Sequence, residues 1–156
     1  MPESCAPAYA RHWGKARPGE SSASCHLLAH HSLDVAAVGV SALRRLPALR
    51  QLLASGLGLP EHLLEPWTGF WLALHDLGKF AESFQSQCPD VFVVLRGRPP
   101  NTAKPYTLRH DSLGMLFWKD VLCERVIDPA WFGPDTDAIA EALDWWARAN
   151  CGHHGQ

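Results

Sequence analysis

Apolar residues recur along most of this chain at helical rather than alternating spacing. The first two dozen positions are the exception. Pro2, Pro7, Pro18, Gly14 and Gly19, with serines at Ser21, Ser22 and Ser24, read as an irregular lead-in over residues 1–25. From about His26 the pattern turns helical, with His31, Val35, Val38 and Ala42 stacked on one face, and it stops at Arg44, Arg45 and Pro47. A short leucine-rich piece follows, punctuated by Gly56, Gly58 and Pro60. Pro66 suits the first turn of a second helix, whose apolar face carries Trp67, Phe70, Trp71 and Leu74, and Gly78 breaks or bends it. VFVVL, starting at Val91, could pass for a strand, although it stands alone before the loop-like RGRPPNTAKPY. A third helix is expected from about His110 to Arg125 and a fourth from about Thr136 to Asn150, with Asp135 as N-cap and Gly152 as stop. Strands are nearly absent and there is no internal repeat, so the pattern predicts an all-α domain over residues 26–156, the lead-in belonging to it.

Polar residues inside the apolar stripes change the picture. In WLALHDLGKF an imidazole and a carboxylate, His75 and Asp76, sit side by side where leaving either unpaired is expensive. His31 precedes Val35 by four residues, and His110 precedes Leu113 by three, so both also face inward. His153 and His154 follow directly on Gly152, where irregular backbone can aim adjacent side chains at one point. A single inward histidine is ordinarily a core residue bonded to backbone. Several converging histidines with an adjacent carboxylate are hard to satisfy that way, and divalent metal ions resolve the conflict by coordination. A carboxylate such as Asp76 can bridge two cations about 3.5 to 4 Å apart, the spacing used in two-metal phosphate ester hydrolysis. His12, His26, His30 and His62 fall in loops or at helix edges and read as solvated or locally bonded. The seven tryptophans, Trp145 and Trp146 included, read mostly as core packing rather than base stacking.

Composition narrows the partners. A formal net charge of −2 provides no global pull toward nucleic acid. Between Val91 and Arg109 there is no acidic residue, while Arg96, Arg98, Lys104 and Arg109 supply positive charge; this is either a solvated loop or the one local feature suited to a phosphodiester backbone. Five cysteines without a C-x-x-C pair argue against a disulfide framework and fit a reducing, cytoplasmic setting. No apolar run reaches the roughly 18 to 20 residues that cross a bilayer, so no membrane partner is expected.

With these residues assembled, the sequence resembles the HD phosphohydrolase superfamily, and more closely the N-terminal HD nuclease domain of the CRISPR-associated helicase-nuclease of type I interference systems. The matching stretches are HWGK (His12 to Lys15), HLLAHHSLDVAAV (His26 to Val38), ALHDLGKF (Ala73 to Phe80), RHDSLG (Arg109 to Gly114) and GHHG (Gly152 to Gly155). The bare doublet is common; the ordered set of five is specific to this subfamily. The resemblance implies an HD-domain helical bundle with His31, His75, Asp76, His110, His153 and His154 as metal ligands and Asp76 as the bridge. One cation would be held by Asp76, His110, His153 and His154. The other would use His31, His75, Asp76 and an aspartate that the family places on a later helix. That aspartate is missing here, so the expectation is a bundle truncated at its C-terminal end, without the helicase and with one complete ligand set.

The activity implied is hydrolysis of single-stranded DNA in CRISPR interference, with a helicase domain and the CRISPR surveillance complex as partners. Lys79, three residues after Asp76, would hold the scissile phosphate or offset charge, unless it is only a surface lysine near a helix end. Histidine-rich ligation suits manganese, iron, cobalt or nickel better than magnesium, which stays possible. Two alternatives accompany this reading: an HD phosphohydrolase acting on nucleotides, and a catalytically silent binding module of the CRISPR complex.

Overall fold

A computed structural model describes residues 7–16, 25–127 and 135–152. His153 and His154, the serine cluster and several Pro and Gly positions of the lead-in lie outside the described residues. A 3-10 turn, Ala8–Arg11, leads into strand β1, Trp13–Lys15, which pairs antiparallel with β2, His26–Leu27. Helices then dominate: α1 Leu28–Arg45, α2 Pro47–Leu57 and α3 Glu61–Leu74. A 3-10 turn, Leu77–Phe80, separates α3 from α4, Glu82–Gln85, and α5, Pro89–Arg96. Helix α6, His110–Phe117, passes through a π-helical turn, Trp118–Leu122, into α7, Cys123–Val126; α8 is Thr136–Cys151. The fold class is all-α, as the periodicity predicts. Among the described residues no helix is long and apolar enough to cross a membrane.

Helix α8 follows the sequence reading closely: Asp135 Oδ1 accepts the Ala138 N–H at 3.2 Å, and Gly152 caps the other end. Elsewhere the structure corrects it. The leucine-rich piece is a helix of its own. Pro47 opens α2 in the first turn, where the missing N–H would have had no intrahelical partner, and Gly58 closes it at φ 63°. Helix α3 begins at Glu61, so Pro66 lies inside it rather than at its first turn. Both Pro66 and His62 are exposed, which lets water reach the His62 carbonyl that Pro66 cannot serve. VFVVL is helical. Pro89 at its start, Asp90 in the first turn and Gly97 at φ 69° after its end outweigh the strand preference of the valines, and Val91 and Phe92 are buried while Val93 and Val94 are exposed.

The buried side of α1 is formed by Leu28, His31, Ser32 and Leu43, whereas Val38, expected inward, is 70% exposed. Helices α1 and α3 meet instead at Gly39, where a Cβ would overlap Leu72 Cδ1. A contact built on a missing side chain is invisible to a count of apolar ones. The main core joins Trp71, Leu77, Trp118, Leu143 and Ala147, with Trp67 and Trp146 packed on it. Trp71 stacks on Trp146 at 6.0 Å and meets Trp118 at 5.3 Å. Trp145 departs from the core reading, being 68% exposed, because adjacent helical residues point about 100° apart and only one of the pair can face inward. A second core around Trp13, Phe84, Cys88 and Val91 holds the N-terminal strand against α4 and α5.

Candidate metal centre

The chemistry gathers where α3 gives way to the 3-10 turn. His75 is the C-cap of α3, and its backbone is already followed by Asp76 at φ −106°, outside the helix. At this helix end Leu72 O accepts the His75 backbone N–H only at 3.4 Å, and His75 Nδ1 donates to the same carbonyl at 2.7 Å. A carbonyl can only accept, so Nδ1 carries a proton and the ring turns Nε2 toward Asp76 Oδ2, 3.1 Å away. With Nδ1 committed to Leu72 O, Nε2 is the ring atom that would hold a cation beside Asp76 Oδ2.

Three further groups converge on the same carboxylate. His31, in the first turn of α1, places Nε2 3.1 Å from Oδ2. Lys79 places Nζ 2.7 Å from Oδ2. In a 3-10 turn residues three apart eclipse, and the Lys79 N–H donates to Asp76 O at 2.8 Å, so the lysine stands directly over the aspartate. On the other side, His110, the first residue of α6, places Nε2 3.5 Å from Oδ1. Its backbone N–H donates to Tyr106 Oη at 2.8 Å, and its ring meets Phe84 edge-on at 5.4 Å.

Burial by itself pushes the Asp76 carboxyl upward, but hydrogen bonds and charge from His75 and Lys79 outweigh it and hold the group well below the usual carboxylate range. It is ionised at neutral pH. Burial lowers the pKa of His31 against the opposing pull of Asp76, which keeps this ring neutral and able to ligate. Among the described residues, His31, His75 and Asp76 each offer a ligand atom within 4.8 Å of the other two. Imidazole nitrogens and a buried carboxylate are a donor set that fits a divalent transition metal.

The basic segment behaves differently. Arg98 is bound by Glu82 in a bidentate pair at 2.8 and 3.0 Å, which holds Glu82 down at about 2. Arg109 pairs with the buried Asp111 at 3.0 Å. Lys104 is exposed. Arg96 donates to His12 Nε2. His12 is buried rather than solvated: just before β1 it lies against Phe80, 4.9 Å away, with the backbone of Ala8 and Tyr9 as local hydrogen-bond partners, and burial followed by the Arg96 charge lowers its pKa to about 4. His26 pairs with Asp34 at 3.3 Å, and His30 and His62 are exposed.

Two supporting residues went unread in the sequence. Fully buried Gln85 accepts the Trp13 N–H at 2.9 Å through Oε1 and donates through Nε2 to Trp13 O and Lys79 O, each at 2.8 Å, tying β1 to the turn that carries Lys79. Tyr106, which receives the His110 N–H, is the other. A glutamine between Phe84 and Ser86 gives no periodic signal, whereas Tyr106 lies four residues ahead of His110, a spacing that could have marked it.

Comparison with known proteins supplies the family context. The family model described as "Cas3, HD domain" matches residues 13–156. The CRISPR-associated endonuclease/helicase Cas3 of Escherichia coli (strain K12) is 30% identical over 155 residues, which cover 92% of this chain and 17% of that protein. The chain therefore spans about a sixth of its relative's length. No solved structure matches.

Proposed function

The chain belongs to the family of Cas3 HD domains, and from that premise we propose that it is a metal-dependent phosphodiesterase that cleaves single-stranded DNA in CRISPR interference. The observation that carries the reading is the division of labour at Asp76: one oxygen faces His31, His75 and Lys79, the other faces His110. That arrangement would let Asp76 help to hold a cation on either side, with His31 and His75 on one and with His110, His153 and His154 on the other. When bound, such cations lower the pKa of water and neutralise charge on the phosphoryl oxygens.

The chain's own residues do the rest. Leu72 O fixes the His75 ring, and ionised Asp76 supplies the charge that gathers cations in a buried setting. Lys79, held over the carboxylate by the 3-10 turn and by Gln85 on its carbonyl, keeps a positive group where a phosphate would dock, on a stem long enough to follow it. Arg96, Arg98, Lys104 and Arg109 form the proposed backbone-contacting surface; Lys104 is its best candidate, since Arg98 and Arg109 are already paired with carboxylates. The relative's printed name, an endonuclease/helicase, extends the proposal to a helicase domain and the CRISPR surveillance complex as partners.

The test is nicking of circular single-stranded DNA by the purified chain with manganese, cobalt, nickel or magnesium. Cleavage is expected with a transition metal, with Asp76→Ala lowering it by at least about a hundredfold. Bound metal without cleavage, with nucleotides hydrolysed instead, would move the reading to a nucleotide phosphohydrolase. Absence of both metal and cleavage would leave a silent binding module.

A further inference from the structure

Two glycines from distant parts of the sequence touch beside the metal centre. Gly78 lies in the 3-10 turn two residues after Asp76, and Gly114 lies one turn into α6, four residues after His110. A Cβ at Gly78 would overlap the His110 carbonyl oxygen and the Gly114 amide nitrogen. A Cβ at Gly114 would lie 3.1 Å from Gly78 N and 3.2 Å from Cys151 Sγ. Gly78 is buried, and among the described residues only Gly58 and Gly97 have positive φ, so its backbone conformation is open to any residue. What requires glycine there is the missing side chain.

From this we infer that the Gly78–Gly114 contact is a positioning device that sets how far His110 stands from Asp76, and through it the half of the metal centre on Oδ1. The atoms that a methyl group would strike are backbone, which cannot swing aside as a side chain does. One of them belongs to His110 itself. Any outward shift of α6 is therefore passed directly to the His110 ring, whose Nε2 is 3.5 Å from Asp76 Oδ1. His31 comes from α1 and His75 from the end of α3, and the atoms nearest to a Cβ at Gly78 or Gly114 belong to neither. The two sides of the carboxylate thus have separate supports, one of which rests on the absence of a Cβ. This deepens the metal-dependent reading and rests on it.

The experiment compares wild type, Gly78→Ala, Gly114→Ala, Gly114→Ala/Cys151→Ala and Gly56→Ala by cobalt titration followed in the visible spectrum, and by metal-free crystal structures. Gly56 has open space around its Cβ position and serves as the control. Gly78→Ala should lengthen the His110–Asp76 separation while leaving His31 and His75 in place, alter the cobalt spectrum and weaken binding by roughly tenfold or more. If Gly78→Ala does not fold, Gly114→Ala carries the test: it should show a smaller change of the same kind that persists when Cys151→Ala frees the space at Sγ, because the contact with Gly78 N remains, whereas full reversal would assign the change to Cys151 and overturn the inference. Unchanged spacing and unchanged cobalt binding in Gly78→Ala and Gly114→Ala would overturn the inference. A wild type that binds no cobalt would overturn the metal-dependent reading instead, and the metal-free structures would still decide the spacing.

Discussion

Asp76 is the residue on which the rest turns: a buried, ionised carboxylate met by three imidazoles and an ammonium. The inward direction of His31, His75 and His110 was legible, because each falls in line with a helical apolar stripe. Their meeting point was not, since it depends on how three segments pack. His75 also lies beyond the end of its helix, and a backbone carbonyl, not the stripe, sets its ring. His12 offers a test of burial at this scale. Its folded pKa of about 4 lies below the ordinary 6.5, so between those values the unfolded chain binds a proton that the folded chain refuses. Stability from this group is therefore full above pH 6.5 and declines as pH falls toward 4. Urea denaturation across that window should show a shallower decline in His12→Gln; an identical pH profile would mean that the ring is not held neutral.

Glu82 has the acid-side counterpart. Arg98 holds it at about 2 against an ordinary 4.5, so its contribution is present above pH 4.5 and is lost as pH falls through 2. Glu82→Gln should flatten the acid limb of the stability curve below pH 4.5, as measured by thermal melts, and should leave the curve near neutrality parallel to wild type.

Among the elements, those with strong end signals were read well and those defined by contact were not. Helix α8 has an aspartate cap and a glycine stop, and both ends fall close to where the sequence puts them. Helices α2 and α5 were obscured because Gly56 and the valine run carry local preferences that capping and packing override. The π-helical turn after α6 has no counterpart in the periodicity, which runs through it unbroken. The tie between β1 and the 3-10 turn depends on one amide side chain. Gln85→Leu would leave a Trp13 N–H and two carbonyls without these partners in a buried setting, at a cost of about 2–4 kcal/mol. Chemical denaturation measures this, and a change within about 0.5 kcal/mol would show that water or a rearranged strand takes over.

At the scale of the molecule, the tryptophan-lined core and the core around Trp13 flank the segment that carries His75, Asp76 and Lys79, so the site sits between two packed masses rather than on a loop. The all-α class was legible because helical periodicity needs no knowledge of partners. The glycine contacts that bring α1 onto α3, and α6 onto the turn after α3, were hidden because they consist of side chains that are not there. The measurement that bears most directly on the whole account is anomalous scattering from crystals of the chain soaked in manganese or cobalt. The account expects a peak at coordination distance from His31 Nε2, His75 Nε2 and Asp76 Oδ2, absent in Asp76→Ala. No peak among these atoms, with the imidazoles left bonded as they are without metal, would contradict it.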